Sequence, residues 1–523
     1  MRFRYLMLII GVVLAVAVAA TGCGDESKHA EVVGGPGVSY IPRTSLAYLI
    51  VDTHFDRAAW RQLNAAAKRV PIVRDARSVL LDVAGAGTYR YSRNFMPWIG
   101  KHGGLALLDT SANGQPAHAV FFFESRNDAA AMKLLRTPLT QPAASIKGRK
   151  VYRNGFGNYM LADDGIVLVG NSRTSLKRAL EAHDNHTSMA SSVSANRAAA
   201  RVHDGAVVTL VTSKRGYRLL HGSDIDRILF RQSVLDSAAS FSGTSGFRVI
   251  QSFLGQVTPA GGGTSPLQRA RSITRIAAAD RHASVTAMAL GIDPSPQGLH
   301  VRTAAISQTT DTGSGRHYEP SLVNAVPANI VALYDNTNLG TVIDPLMRLA
   351  GVTSIKDYDP LNGEFAIAMG AGSPRTMSAL ALVNGSGTND AVQQLMDQVP
   401  AMGGTVSRLD PNGLRTVQLR GQKVIVKRSD SLTTVAASRA AASMFSSQQS
   451  LADSPVFTRI VEASGMPRRV GGMFFIDTQR ALASAQFAAR DDLTGLGPVL
   501  GWFSASGSVQ QQELFISMAG AAA

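Results

Sequence analysis

The chain contains the stretch IPRTSLAYLIVDT at residues 41–53 and a second stretch of the same design, VPANIVALYDNT, at residues 326–337. Each begins with an apolar residue and a proline, continues into an apolar run, and ends on an aspartate followed by Thr or Asn. Apolar runs of this length that are bounded by proline and polar turn residues are typical of buried strands. The recurrence of this start predicts that the chain contains two copies of one unit.

Further blocks recur in the same order and support the repeat. A Pro-x-x-Gly motif precedes two strand-like runs in each half, and an Asn-Asp pair then opens a helical pattern, as expected for residues that cap free amides of a first turn. A turn, a strand and a Ser-Arg pair follow at the same spacing. The matching positions are Pro97–Gly100 and Pro360–Gly363, Asn127 and Asn389, and the spans 164–173 and 430–439.

The order of these elements predicts the fold class. Strand, helix, strand hairpin, helix, strand hairpin, helix and closing hairpin indicate an α+β fold with two tandem repeated units, each a mainly antiparallel sheet with helices packed on one face. Residues 307–319 are rich in Thr, Ser and Gly and lack an apolar run. We therefore predict a first unit at 40–306, a linker at 307–319 and a second unit at 320–523.

The N terminus has the pattern of a bacterial lipoprotein signal peptide. Arg2 and Arg4 precede an apolar run at residues 5–20, which is short of the ~20 residues that a bilayer span needs. Small residues then lead to Cys23, the only cysteine in the chain. This arrangement resembles the lipobox of bacterial lipoproteins, in which the cysteine sulfur receives a diacylglyceryl group and the cysteine becomes the first mature residue.

The sequence therefore predicts a signal peptide at 1–22, lipidation at Cys23 and a flexible, glycine-rich tether at 23–39. The protein would then be lipid-anchored on the extracytoplasmic face of the cell membrane. Two alternatives stay open, because Ala20 stands where leucine is commonest in a lipobox. They are conventional cleavage at the A-x-A match of residues 17–19, and an uncleaved anchor.

Charge limits the choice of partners. Lys and Arg number 52 against 37 Asp and Glu, which gives a formal net charge of +15. Such a surplus favours anionic lipid or wall polymer as a neighbour, while the protein partner stays unknown. The basic residues are spread along the chain without interleaved aromatic residues, so no nucleic acid partner is predicted. Beyond Cys23, no disulfide and no thiolate chemistry can occur.

Candidate reactive residues have simpler structural interpretations. His183 and His186 are three apart, but the polar residues around them predict a helix end and a loop, so neither a metal nor another cofactor is expected. Ser172 and Ser438 each lie between a strand and a helix, where a serine most simply caps the helix. No catalytic residue is assigned.

Three acidic residues leave a second interpretation open. Asp52, Asp335 and Asp477 each follow a buried-type strand and precede a helical pattern. The favoured explanation is that each aspartate caps the start of a helix by accepting hydrogen bonds from free amides of its first turn. Paired carboxylates of the kind used by glycosidases and aspartic proteases are the alternative.

Four stretches of the chain resemble an uncharacterised family of bacterial envelope proteins, domain of unknown function 3352. The resembling residues are 41–52, 97–100, 163–172 and 450–454, the last lying just before Phe457. The resemblance implies a duplicated extracytoplasmic fold. It implies no activity and no catalytic residues.

The sequence thus predicts a membrane-anchored extracytoplasmic lipoprotein that serves as a non-enzymatic binding or structural module. A carrier of lipid or another apolar ligand is the first alternative, because a sheet covered by helices can enclose an apolar cavity. An envelope hydrolase that uses paired carboxylates is the second.

Overall fold

The computed structural model describes most of the chain from Val33 onward. Cys23, the signal peptide, Asn389 and Ser438 lie outside the described residues, and so does most of the predicted linker. The described residues are 33–69, 96–111, 116–136, 140–155, 157–222, 284–308, 317–337, 363–370, 379–384, 392–393, 396–397, 399–400, 403–411, 413–419, 422–429, 432–436, 441–442, 449–483 and 495–518.

Within these ranges, twenty strands form one continuous sheet. The first ten strands are β1 (Ala47–Asp52), β2 (Ile99–Thr110), β3 (Pro116–Ser125), β4 (Gln141–Ile146), β5 (Arg149–Arg153), β6 (Tyr159–Asp163), β7 (Ile166–Gly170), β8 (Val208–Ser213), β9 (Val285–Pro294) and β10 (Gly298–Ser307). The second ten are β11 (Ile330–Thr337), β12 (Glu364–Gly370), β13 (Ala379–Asn384), β14 (Thr405–Val406), β15 (Leu414–Leu419), β16 (Gln422–Arg428), β17 (Leu432–Ala436), β18 (Gly472–Ile476), β19 (Leu496–Ser506) and β20 (Val509–Met518).

The strands pair in an unbroken path from one edge of the sheet to the other. Their order is β4-β5-β6-β7-β3-β2-β1-β8-β9-β10-β20-β19-β18-β11-β12-β13-β17-β16-β15-β14, and every described pair is antiparallel. The two groups of ten meet where β10 pairs with β20, from Gly298 opposite Ser517 to Ile306 opposite Val509. We call this pair of strands the seam. The predicted α+β class is confirmed.

Seven α-helices have bounds within the described residues. They are α1 (Ala58–Arg69), α2 (Asp128–Leu135), α3 (Arg173–Asp184), α4 (Val193–Ala200), α5 (Lys214–Gly222), α6 (Pro455–Ser464) and α7 (Thr478–Ala483). Two predicted caps are confirmed: the Asn127 side chain accepts a hydrogen bond from the Ala130 amide at 3.0 Å, and Ser172 accepts one from the Ser175 amide at 3.1 Å. Both satisfy an amide that the first helical turn leaves unpaired.

Helices cover both faces of the sheet. Ile50 and Val51 are neighbours on β1, so their side chains point to opposite faces. Ile50 belongs to a buried cluster with residues of α3 and α4, whereas Val51 belongs to a cluster with Trp60 of α1. The prediction of helices on one face is therefore wrong, because a strand that is apolar on both sides has two faces to remove from water.

The packed body begins before the predicted boundary at residue 40. Val33 and Val38 are 8% and 0% exposed, and both belong to the core cluster that contains Ile50. The described end of the predicted linker is also packed, because Tyr318 and Val470 exchange two backbone hydrogen bonds of 2.9 Å. Residues 33–39 and Tyr318 are thus parts of the folded body.

Candidate functional site

The point where the N-terminal segment joins the body is a well-defined polar contact. A short 3-10 helix, Pro36–Tyr40, begins with a proline, whose fixed φ suits a first helical position. Tyr40 is 2% exposed, and its ring lies parallel to the His183 ring of α3, with the centroids 4.0 Å apart and the planes 2° apart. We call Ser39, Tyr40, Asp163 and His183 the tether contact.

Hydrogen bonds fix the two sides of the tether contact. The Ser39 hydroxyl donates to the Pro36 carbonyl at 2.6 Å, so it can accept from Nδ1–H of His183, which lies 2.9 Å away. The Tyr40 hydroxyl donates to Oδ2 of Asp163 at 3.0 Å. Burial and the nearby Asp163 carboxylate raise the pKa of Tyr40, which keeps its hydroxyl protonated as a donor.

A basic hairpin, β4–β5, joins the same contact from the other side. Nε of Arg149 donates to Oδ2 of Asp163 at 2.8 Å, and its other nitrogens reach Asp184 at 2.8 and 3.2 Å. Lys147 donates to Asp184 at 3.0 Å. Hydrogen bonds from Arg149 and then Lys147 lower the pKa of Asp184. One carboxylate, that of Asp163, therefore joins the N-terminal segment to the basic hairpin.

The same region contains the only group of potential metal ligands found in the described residues. Ligand atoms of Asp163, Asp164 and His183 lie within 4.8 Å of one another. Arg149 and Tyr40 already occupy Oδ2 of Asp163, however, so the arrangement fits an ion-paired structural contact better than a cation site.

His186 lies outside this group of three residues. It is exposed beyond the end of α3, with φ at +53°. The predicted helix end and loop are confirmed, and the structure gives the two histidines different surroundings.

The three candidate acids occupy separate environments. Oδ1 of Asp52 accepts from the His54 amide at 2.8 Å, and Oδ2 pairs with Arg57 at 2.6 Å, so this residue closes a turn after β1. Asp477 accepts from the Arg480 amide at 3.0 Å and caps α7, which confirms the helix-start interpretation at this position.

Asp335 has a different role, and the helix-start prediction is wrong for it. It lies within β11, is 0% exposed and accepts from the Tyr318 hydroxyl at 2.6 Å. Burial first, and the negative charge of Glu364 second, raise the pKa of Asp335 to about 8. This acid is therefore mostly protonated at neutral pH, inside the sheet and not at a helix start.

Glu364 lies beside Asp335 and binds residues just after the predicted linker. Its carboxylate accepts from the Ser321 amide at 2.6 Å and the Leu322 amide at 2.9 Å, and the Ser321 hydroxyl also donates to it. Residues 318–322 are thus held by two neighbouring acids of β11 and β12.

A cluster of charged residues crosses the seam, and sequence analysis did not detect it. His300 Nδ1 lies 2.7 Å from Oε1 of Glu513. Arg302 lies 3.4 Å from Glu513 and 3.4 Å from Asp293, and it donates to the Asp204 carbonyl at 2.8 Å. Burial is the chief cause that raises the pKa of Asp293. His300 and Glu513 are 213 residues apart, so no local pattern could have linked them.

Ser172 also has a neighbour that the sequence did not indicate. Its hydroxyl lies 3.1 Å from Nδ1 of His118 and 2.7 Å from the Ser175 hydroxyl. The same oxygen accepts from the Ser175 amide, so it is already engaged in capping α3. The contact fits a capped helix end that is tied to β3.

A comparison with known proteins finds a family model that matches the first part of the chain. Residues 5–214 match a family model described as "Protein of unknown function (DUF3352)". Over this range the chain is similar to the DUF3352 family. The matched range includes β1–β8 and the tether contact, while the resembling stretch at 450–454 lies beyond it.

Other comparisons add little. No curated protein matches the chain. One solved structure, titled "Structure of crystal form III of TP0453", is similar at 9% identity over 52% of this chain and 79% of that chain, with a TM-score of 0.25. A score this low relates neither fold nor function. Among the described residues, no helix combines the length and apolarity needed to span a bilayer.

Proposed function

We propose that this protein is an extracytoplasmic module, anchored to the cell membrane by lipid on Cys23, that acts by binding or by structural interaction and not by catalysis. The observation that carries the proposal is the packing of the N-terminal segment against the core of the body. Val33, the first described residue, is only ten positions after Cys23 and is already buried in the core. A lipid on Cys23 would therefore hold the folded body within about 35 Å of the membrane, the reach of ten extended residues.

The surroundings of the acids support a non-enzymatic role. Asp52 closes a turn, Asp477 caps a helix, and Asp335 is fully buried beside Tyr318. A hydrolase with paired carboxylates needs two acids that reach one substrate atom from an accessible cleft. Separate structural contacts account for these three acids instead.

We also propose that the body is a duplicated fold. In each group of ten strands, pairing follows one order: the fourth strand through the seventh, then the third, second, first, eighth, ninth and tenth. An isolated bridge ties Pro42 to Ser188 in one group and Pro327 to Ser450 in the other. Met189, which follows Ser188, donates its amide to the Ile41 carbonyl at 2.7 Å. Leu451, which follows Ser450, donates its amide to the Val326 carbonyl at the same distance. These parallels support two tandem units that share one sheet at the seam.

Replacing the proposed lipid attachment site tests the anchor. We expect full-length protein in a bacterial host to incorporate an alkyne-labelled fatty acid and to leave the membrane fraction in detergent but not in high salt. Cys23→Ser should abolish labelling and membrane retention, whereas the nearby Ser27→Ala should behave like the parent chain. A Cys23→Ser protein that is still processed and still membrane-bound would overturn the proposal.

A further inference from the structure

The hairpin nearest the tether lies in a basic segment of the chain. Residues 129–162 contain six Lys or Arg residues and no Asp or Glu. Within this span, β4 and β5 form the outermost hairpin of the sheet, and Lys150 and Arg153 on β5 are exposed. The six basic residues are Lys133, Arg136, Lys147, Arg149, Lys150 and Arg153.

Aromatic rings hold two of these guanidinium groups in place. Arg136 lies over the Tyr152 ring at 3.8 Å from its centroid, and Arg153 lies over Tyr159 at 5.7 Å. A guanidinium that stacks on a ring keeps the N–H groups at its edge free for phosphate oxygens. Both arginines are exposed, so their outer edges face solvent.

The path of the N-terminal segment brings this hairpin close to the proposed anchor. Asp163 accepts hydrogen bonds from Tyr40 of the tether contact and from Arg149 of β5, so a single carboxylate bridges the N-terminal segment and the hairpin. Val33 packs in the same core cluster as Ile50 of β1. From β1 to β5 the sheet has five strand spacings, or about 24 Å, which is less than the reach of about 35 Å between Cys23 and Val33.

A second basic hairpin lies at the opposite edge of the sheet. Residues 411–429, which include β15 and β16, contain five Lys or Arg residues and no acid. Twelve strand spacings separate β1 from β15, or about 58 Å measured along the sheet, which is beyond the reach of the tether. Both hairpins thus carry several basic residues, of which Lys147 and Arg149 in the near one pair with Asp184 and Asp163, and they differ in distance from the anchor.

We propose that the β4–β5 hairpin binds anionic phospholipid headgroups and so orients the anchored body on the membrane. This inference rests on the proposed function. Attraction between basic residues and an anionic surface acts within a Debye length, about 8–10 Å, and the short tether keeps the near hairpin in that zone in more orientations than the far one. The lipid anchor and the basic hairpin then both attach the protein to the same membrane surface.

The single cysteine permits a test that is independent of lipidation in the cell. The mature chain, residues 23–523, is coupled through the Cys23 thiol to a maleimide lipid. The carrier vesicles consist of phosphatidylcholine alone or of phosphatidylcholine mixed with phosphatidylglycerol. Lysine acetylation is then followed by mass spectrometry. We expect acetylation of Lys150 to slow about fivefold on the anionic vesicles, and exposed Lys423 and Lys427 of the far hairpin to keep their rates.

Matched variants separate a specific contact from bulk charge. Arg136→Gln with Arg153→Gln should reduce the protection of Lys150, whereas Arg415→Gln with Arg428→Gln removes the same charge at the far edge and should leave that protection unchanged. Equal protection of both hairpins, or none at Lys150, would overturn the inference. Protection of Lys150 by soluble polyglutamate but not by anionic vesicles would also overturn it and would point to an anionic polymer. Because coupling supplies the anchor, each of these outcomes is distinct from a failure of lipidation at Cys23.

Discussion

Asp335→Asn should stabilise the protein at high pH. The buried Asp335 carboxyl accepts from Tyr318, and burial together with the charge of Glu364 raises its pKa to about 8. An acid with a raised pKa binds its proton more tightly in the folded chain than in the unfolded chain. Its contribution to stability is fully present below the unfolded pKa near 4 and is lost as pH rises from about 4 to about 8.

The size of this effect follows from the shift in pKa. Each unit corresponds to about 1.4 kcal/mol, so ionising Asp335 in the folded chain costs on the order of 5 kcal/mol above pH 8. Asparagine keeps an oxygen that can accept from Tyr318 and has no charge to bury beside Glu364. The variant should therefore be several kcal/mol more stable than the parent at pH 9, and the two proteins should converge toward pH 4.

Urea unfolding between pH 4 and pH 9 measures the difference, with the fluorescence of Trp502 as the signal, because Trp502 lies in the core cluster that contains Leu333 of β11. Asp477→Asn is the matched control. Its carboxylate caps α7 and lies 3.2 Å from Nε of Arg480, so this variant should lose about 1 kcal/mol at pH 9. A difference between Asp335→Asn and the parent that does not change with pH, or a less stable variant at pH 9, would refute the reasoning.

Three further substitutions test the packing and the seam. Tyr48→Phe should raise the free energy of unfolding by about 1 kcal/mol, since the buried hydroxyl has no partner among the described residues; a loss of stability would reveal one. Gly216→Ala should lower the free energy of unfolding by about 2–3 kcal/mol, because the added Cβ would overlap the backbone carbonyl of Leu46. An unchanged thermal midpoint would contradict this contact. Glu513→Gln should cost about 1 kcal/mol and reduce the salt dependence of stability, because it removes the charge that faces His300 and Arg302; an unchanged salt dependence would argue against the ion pairs.

Local sequence patterns predicted the helix caps correctly, but they did not predict the surroundings of each side chain. Asn127, Ser172 and Asp477 cap helices as expected, because capping depends on a few adjacent residues. Asp335 has the same sequence context as Asp52, yet one is fully buried and the other closes a turn. The difference comes from Tyr318 and Glu364, which are distant in sequence and give no local signal.

Long-range contacts explain the other errors. The sequence did not predict that helices cover both faces of the sheet, because this depends on how α1 and α2 pack. The apolar residues of a strand do not specify which helix covers which face. The seam pairs β10 with β20, strands about 200 residues apart, and its charged residues look unrelated in the sequence. The packing of the N-terminal segment was not predicted, because Val33 and Val38 lie among glycines and polar residues that suggest a loop.

The most direct test of the central claim is the mass of the N-terminal peptide from protein isolated from bacterial membranes. We expect the mature chain to begin at Cys23 and to carry a diacylglyceryl group on its sulfur. A peptide that begins at Ala20 with an unmodified Cys23, or a chain that retains residues 1–22, would contradict the anchor.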